Sequence, residues 1–314
     1  MIDLPAKCVA RDLQPLADWV ELCAIVGPPG EVSQVDVYRM LGEEESYRDS
    51  YRDDPLAPED DVMLALAEDV WSLLSARESL LGRAYPFTVD DDLLLRSRKS
   101  WRDTPSYTAM LLIASLLQYP PDIQVCSVDG FTFRQLFEKI VQASGRGLFG
   151  GPSVRFGVPP EPGWPTGFRE RVKKLADEMA LDLGNIDAQT HSREQDRTLD
   201  VCSRLSFGDD GPGSIAVLTQ CATGKNWKDK RGEPSLAEWR SMFVWEEQLV
   251  RSIAVPLWIG KRREYGSLHR HFDAMILDRP RLLSGRPDRF LDKAARKSVR
   301  QWCEAQIKRL PTLD

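Results

Sequence analysis

The sequence predicts a protein of the α+β or α/β class with two domains: a helical first domain (1–130) and a mixed-sheet core flanked by helices (131–314). Apolar residues recur at helical spacing through most of the first 145 residues. The segment 147–167 is rich in Gly and Pro, which is typical of a connection. Two strand-like runs follow at 199–207 and 214–222, and the turn sequence GDDGPG between them predicts a β-hairpin.

The helices of the first domain are predicted from the spacing of their apolar residues. The first is ended by GPPG at 27–30, and Ser33 is a suitable N-cap for the second. Thr88 and the run Asp90–Asp92 precede an apolar stretch, which favours a helix N-terminus there as well. The first helix is expected at 11–25, and the helices after the one capped by Ser33 are expected at 62–82, 105–118 and 131–145.

The second domain is expected to alternate helices with strands, as in a mixed sheet covered by helices. Its predicted elements are a helix at 168–184, the two hairpin strands, an aromatic helix at 235–250, a short strand at 252–260, an apolar segment at 275–283 and a basic helix at 292–310.

The two halves of the chain differ in charge. Residues 1–150 hold 25 Asp and Glu against 14 Lys and Arg, whereas residues 151–314 hold 23 against 28, so the net charges are −11 and +5. This difference indicates two surfaces with different partners. A basic second half can approach phosphates, and an acidic first domain is expected either to dock a protein partner or to act as a sensor.

Several classes of protein are disfavoured. The longest apolar run, Ala109–Leu117, is about half of the roughly 20 residues that cross a bilayer. The first residues lack the apolar core of a signal peptide, and the six cysteines form no CxxC pair, so a cytoplasmic protein without membrane contact is expected. Thr219 and Asn226 break the P-loop pattern around TGK, and there is no GxSxG.

The hairpin carries the candidate chemistry. Asp200 enters the first strand and Gln220 leaves the second, so antiparallel pairing is expected to place them side by side. Carboxylate and amide oxygens are ligands that Mg²⁺ accepts. A nearby lysine would position the attacking water and offset charge in the hydrolysis of a phosphodiester, and Lys225 follows Gln220 closely.

This pattern resembles the PD-(D/E)XK, or restriction-endonuclease-like, nuclease family. The string QCATGKNW and the segments VPLWIG and ILDRPRLL are similar to nuclease-like proteins of bacterial defence loci, over roughly residues 130–285. The resemblance implies Mg²⁺ or Mn²⁺ bound by Asp200, Gln220 and the carbonyl of Cys221. It also implies that Lys225 replaces the family's lysine, because the usual position is Ala222.

The family often carries a glutamate on the helix before the hairpin. Glu138 is favoured by its place beside an apolar helix face, and Glu170 by its order in the chain, so both remain candidates. The basic loop is either a phosphate-contact patch or a solvated face, and its candidate nucleic-acid-binding residues are Lys225, Trp227, Lys228, Lys230 and Arg231.

The resulting expectation is a Mg²⁺-dependent endonuclease that cuts nucleic acid, DNA rather than RNA, as an effector or subunit of a bacterial anti-phage system. An oligomer or larger complex is compatible with this expectation. The alternative is a catalytically inactive nuclease fold that binds nucleic acid or scaffolds a defence complex, and Ala222 favours it.

Overall fold

The computed structural model describes residues 2, 4, 13–27, 30–43, 59–90, 93–98, 100–119, 121–186, 196–208, 213–244 and 248–310. The chain divides into two compact units, Met1–Asp129 with Val299–Asp314, and Gly130–Ser298. The sequence prediction placed residues 131–314 in one domain, whereas the end of the last helix groups with the first unit. Its Trp302 Nε1 donates to the carbonyl of Val125 at 2.7 Å.

The first unit combines helices with a small antiparallel sheet, in which Leu94–Ser97 lies between Glu31–Ser33 and Phe87–Val89. Its helices are α1 (Gln14–Val26), α2 (Gln34–Glu43), α3 (Glu59–Leu81) and α4 (Pro105–Leu116), and its strands are β1 (Glu31–Ser33), β2 (Phe87–Val89), β3 (Leu94–Ser97) and β4 (Ser127–Val128). Ser33 caps α2 as predicted, because its Oγ accepts from the Asp36 N–H at 3.1 Å.

The helix predicted after Thr88 is wrong, because this segment forms the β2–β3 hairpin. Asp90 starts the turn: its carboxylate accepts from the Leu94 N–H at 3.0 Å. Leu93 takes a positive φ of 57°, which ends any helical path. A local side-chain hydrogen bond of this kind stabilises turns, so the aspartate run favours a turn here rather than a helix start.

The core of the first unit contains a buried charged residue. Arg77 is fully buried, and its Nη1 lies 2.7 Å from both Asp18 Oδ1 and Glu21 Oε1. The hydroxyls of Tyr85 and Tyr107 donate to the carboxylate of Glu21 at 2.7 and 2.6 Å. Part of the acidic charge of the first half is therefore internal and is not available to a partner.

The strands of the second unit are β5 (Phe131–Thr132), β6 (Gly150–Arg155), β7 (Asp182–Leu183), β8 (Val201–Leu205), β9 (Ile215–Cys221), β10 (Phe243–Val244), β11 (Gln248–Ala254) and β12 (Met275–Leu277). Five of them form a mixed sheet in the order β12-β11-β9-β8-β6. β8 pairs antiparallel with both β6 and β9, and β11 and β12 continue the sheet in parallel with β9.

Helices border this sheet, so the predicted mixed-sheet core with flanking helices is confirmed at the level of a mixed α/β fold. They are α5 (Phe133–Phe149), α6 (Phe168–Met179), α7 (Leu236–Arg240), α8 (Arg262–Phe272), α9 (Arg279–Ser284), α10 (Pro287–Phe290) and α11 (Lys293–Ile307, whose last part belongs to the first unit).

Helix α5 lies directly on the sheet. It begins with a capping box between Thr132 and Gln135. At Gly145 a Cβ would lie 2.4 Å from Ser203 Oγ and 2.7 Å from Ser153 Oγ, so only glycine allows this close approach of helix to β6 and β8. This contact sets the distance between α5 and the strands β6 and β8.

Two predictions in the second unit are corrected. The connection predicted at 147–167 contains the edge strand β6. The helix predicted at 235–250 is reduced to α7, followed by β10 and β11, because the sequence after Trp239 pairs in sheets. The middle of the predicted hairpin turn, 209–212, lies outside the described residues.

Candidate active site

The hairpin of β8 and β9 brings Asp200 beside Gln220 and Cys221. Val201 pairs with Thr219, and the Asp200 N–H donates to the Thr219 carbonyl at 3.0 Å. The Cys221 N–H in turn donates to Asp200 Oδ2 at 2.6 Å. The carboxylate of Asp200 is thus held at the end of the strands, where the sequence pattern placed it.

Of the two candidate glutamates, Glu138 belongs to this site. It lies on α5 and is 8% exposed. A Cβ built on Gly157 would lie 2.7 Å from Glu138 Oε2 and 3.2 Å from Asp200 Oδ1, so both carboxylates border the space that this glycine leaves open. Glu170 instead lies on the surface of α6, paired with Lys173 at 2.8 Å.

Arg155 is a site residue that the sequence prediction missed. Its Nε donates to Glu138 Oε2 at 2.7 Å and its Nη1 to the Pro159 carbonyl at 2.8 Å, while the residue is only 3% exposed. The sequence does not indicate it, because the Gly- and Pro-rich composition of 147–167 predicts a connection where β6 forms. The alternation of polar Ser153 and Arg155 with apolar Val154 was the available signal for a strand.

The two carboxylates occupy an unfavourable environment for negative charge. Burial raises the pKa of Asp200 well above its usual range, the neighbouring charge of Glu138 raises it further, and the Cys221 N–H and the charge of Lys230 act against the shift. Burial likewise raises the pKa of Glu138, opposed by Arg155. A cation between two such groups would relieve their repulsion and favour their ionised forms.

Gln220 adds an oxygen that fits a metal ion. The residue is 5% exposed, and its Oε1 has no hydrogen-bond partner among the residues that the structure describes. Its Nε2 donates to the Cys221 carbonyl at 3.3 Å, which orients the amide. Because a buried polar atom without a partner is costly, this oxygen is poised for a ligand.

The donor set is therefore mixed rather than purely acidic. Within the described parts of the chain, no cluster of three or more His, Cys, Asp and Glu side chains is arranged to hold a metal. The candidate set is instead two carboxylates, one amide oxygen and one main-chain carbonyl. Oxygen ligands of these types are those that Mg²⁺ and Mn²⁺ accept.

The lysines differ from the sequence expectation. Lys225 is exposed, whereas Lys230 is half-buried and is the lysine whose charge lowers the pKa of Asp200. Ala222, at the family's usual lysine position, is buried in an apolar cluster. Trp227, expected in the phosphate-contact patch, is also buried, with its ring stacked on Phe272 at 5.6 Å.

The rest of the basic loop is on the surface. Lys228 and Arg231 are exposed, as the phosphate-contact prediction requires. The Lys228 carbonyl is contacted by His271 Nε2 at 2.9 Å, which ties the loop to α8. Trp227 therefore anchors this loop instead of presenting its ring to a ligand, because its indole is part of the core.

Comparison of the chain with models of known protein families, with curated proteins and with solved structures gives no match. None of the described helices combines the length and the apolar character needed to cross a membrane.

Proposed function

We propose that this protein is a metal-dependent endonuclease that hydrolyses phosphodiester bonds of nucleic acid. The observation that carries the proposal is the approach of the Glu138 and Asp200 carboxylates to one another at Gly157. Gln220, which precedes the Cys221 that donates to Asp200, adds a buried Oε1 without a partner among the described residues. The mixed sheet and the Asp–Gln hairpin add support, since both are expected from the resemblance to PD-(D/E)XK nucleases.

The metal would be held by Asp200, Gln220, the carbonyl of Cys221 and, on the other side of the space, Glu138. When bound, Mg²⁺ or Mn²⁺ supplies Lewis-acid stabilisation of the charge that develops on the phosphate. The chain prepares this site by fixing its ligands: the Cys221 N–H orients Asp200, and Arg155 holds Glu138.

A lysine completes the proposed machinery by offsetting charge near the attacked phosphate. The sequence pattern favours Lys225 for this role. The structure favours Lys230, because its charge lowers the pKa of Asp200. The exposed Lys228 and Arg231 supply contacts to neighbouring phosphates.

The substrate class in this proposal is DNA rather than RNA, and the setting is the cytoplasm of a bacterium, in an anti-phage system. The acidic first half supplies the surface for a protein partner, consistent with its net charge of −11 against +5 for the second half. The proposal includes cleavage that requires this partner or an oligomer of the chain.

The test is cleavage of plasmid and single-stranded DNA by wild type and variants, with Mg²⁺, Mn²⁺ or EDTA. Wild type should cut only with metal, and Asp200→Ala and Glu138→Ala should lose cutting. Glu170→Ala is the matched control, since this exposed glutamate should be dispensable. Metal-dependent cutting that survives Asp200→Ala would contradict the proposal.

A second candidate function is a nucleic-acid-binding subunit with an inactive nuclease fold. The buried position of Ala222 favours it, because the family's lysine has no equivalent there. This candidate predicts that Asp200→Ala leaves the protein's biological effect unchanged, whereas reversing the charges of Lys228 and Arg231 abolishes binding of nucleic acid in a gel-shift assay.

A further inference from the structure

Helix α8 presents an exposed basic face beside the basic loop (residues 225–231). Arg263, Ser267 and Arg270 follow one another at helical spacing, and all three are exposed. Leu268, on the opposite side of the helix, is buried in the core. The core therefore covers one side of α8, and the side that carries the two arginines faces solvent.

Neighbouring carboxylates do not neutralise the arginines of this face. Arg262, Arg263 and Arg270 form no ion pair with any residue that the structure describes. Asp273, which follows α8, is 3.6 Å from the arginine of β11 instead. Glu264 lies about 100° around the helix axis from Arg263. The face therefore carries a local excess of positive charge.

A glycine brings one of these guanidinium groups towards the other. A Cβ built on Gly266 would lie 3.6 Å from Arg270 Nη1, so the Arg270 side chain runs back along the helix over this glycine. Gly266 follows Arg263 by three residues, which is about 4.5 Å along the helix axis. Two like charges therefore share one stretch of surface, and an anion bound there would relieve their repulsion.

The basic loop continues this face towards the candidate active site. His271 Nε2, at the end of α8, contacts the Lys228 carbonyl at 2.9 Å, so the loop and the helix form one surface. The same loop carries Lys230, whose charge lowers the pKa of Asp200. A polyanion that lies along α8 would thus extend over the loop to the proposed metal site.

The covered aromatic rings of this surface favour a duplex over a single strand. Single strands are held by bases that stack on aromatic side chains, whereas a duplex presents its charged phosphates outwards. Trp227 and Phe272 are buried and stacked on each other, and the guanidinium of Arg281 lies 4.0 Å from the centre of the Tyr265 ring. What the loop and α8 expose is positive charge, which binds phosphates without reading bases.

We propose that α8 and the basic loop form one phosphate-binding surface for the backbone of duplex DNA, with Arg263 and Arg270 as its contacts on the helix. The role of this duplex as substrate rests on the proposed nuclease function, whereas its binding does not require cleavage. These contacts hold and orient the duplex whatever its sequence, because they reach phosphates only.

The test is fluorescence anisotropy of the full chain in EDTA, with a short labelled DNA duplex and a single strand of the same length, over a range of NaCl concentrations. Wild type should bind the duplex more tightly. Each phosphate contact to B-DNA contributes roughly 0.9 to the slope of log K against log [NaCl], so Arg263→Ala with Arg270→Ala should make this slope shallower by about 1.8. Lys293→Ala with Lys297→Ala, which removes the same charge from exposed positions of α11, should leave the slope unchanged.

The inference is overturned if the single strand binds as tightly as the duplex, if an acidic peptide of equal charge competes as well as the duplex, or if the α8 and α11 variants have the same slope. Should the α8 variant lose its fold in thermal denaturation, Arg263→Gln with Arg270→Gln replaces it and must show the same change of slope. Plasmid cleavage is scored separately. Cutting with an unchanged slope in the α8 variant removes this inference alone, and duplex binding that depends on α8, without cutting, removes the nuclease function alone.

Discussion

Replacing Gly157 by alanine should disable the candidate site with little effect on the fold. The residue does not take a positive φ, so its backbone accepts alanine. The added methyl would lie 2.7 Å from Glu138 Oε2, closer than carbon and oxygen atoms normally approach. Glu138 cannot yield freely, because Arg155 Nε holds the same oxygen at 2.7 Å.

The magnitude follows from this geometry. A carboxylate displaced by roughly 1 Å can cost about 10²-fold in rate, so Gly157→Ala should lower metal-dependent cleavage by about 10- to 100-fold. The measurement is the initial rate of plasmid cutting over a range of Mg²⁺ concentrations, with circular dichroism melting to check the fold. Gly167→Ala is the matched control, since a Cβ there meets no atom within 4 Å. Wild-type cutting and metal dependence in Gly157→Ala would refute the reasoning.

Three further predictions concern charge and packing. Burial and the charge of Glu138 raise the pKa of Asp200 in the native state, so the native state binds more protons than the unfolded state. The free energy of unfolding should therefore fall as the pH rises from the usual carboxyl range towards that raised pKa. Asp200→Asn should flatten this loss in melting temperatures measured with EDTA across pH, and an unchanged slope would argue against a buried charge. If the lysine nearer Asp200 offsets the charge at the phosphate, Lys230→Ala should lower the rate of plasmid cleavage by about 10²-fold and Lys225→Ala by much less. The reverse order would assign this role to Lys225. Gly145→Ala should destabilise the fold by about 1–3 kcal/mol in urea unfolding, because its methyl would overlap two serine hydroxyls of the sheet. Gly42→Ala on α2 is the control and should stabilise the fold slightly, since a Cβ there meets no atom within 4 Å. Equal effects of the two variants would contradict the close helix–sheet contact.

The sequence alone was sufficient for features that depend on local pattern. Apolar spacing predicted α1, α3, α4, α5 and α6, and the Gly-rich turn between two apolar runs predicted the pair β8 and β9. The hairpin register then follows from antiparallel pairing, and for this reason the sequence alone predicts Asp200 opposite Gln220.

The sequence was less informative where short segments form pairs across the fold. The pattern predicts a helix where β2 and β3 form, and a connection where β6 forms, because strands of a few residues carry too little periodicity to outweigh local turn and cap signals. The same limit applies to the segment after Trp239, whose ring is buried among Phe156, Phe168 and Phe243.

Tertiary structure alone decided which residues complete the candidate site. Glu138 and Glu170 are equivalent as residue types, and only packing of α5 on the sheet brings Glu138 to Gly157 while Glu170 stays on the surface. The burial of Trp227 and the position of Lys230 are likewise decided by the core around the loop, since a basic, aromatic sequence does not specify which side chain faces inward. The sequence pattern thus determined the hairpin and its two polar residues, because both depend on neighbours along the chain. The fold determined the other site residues, Glu138, Arg155 and Lys230, because the burial and the charge at this site come from segments distant in sequence.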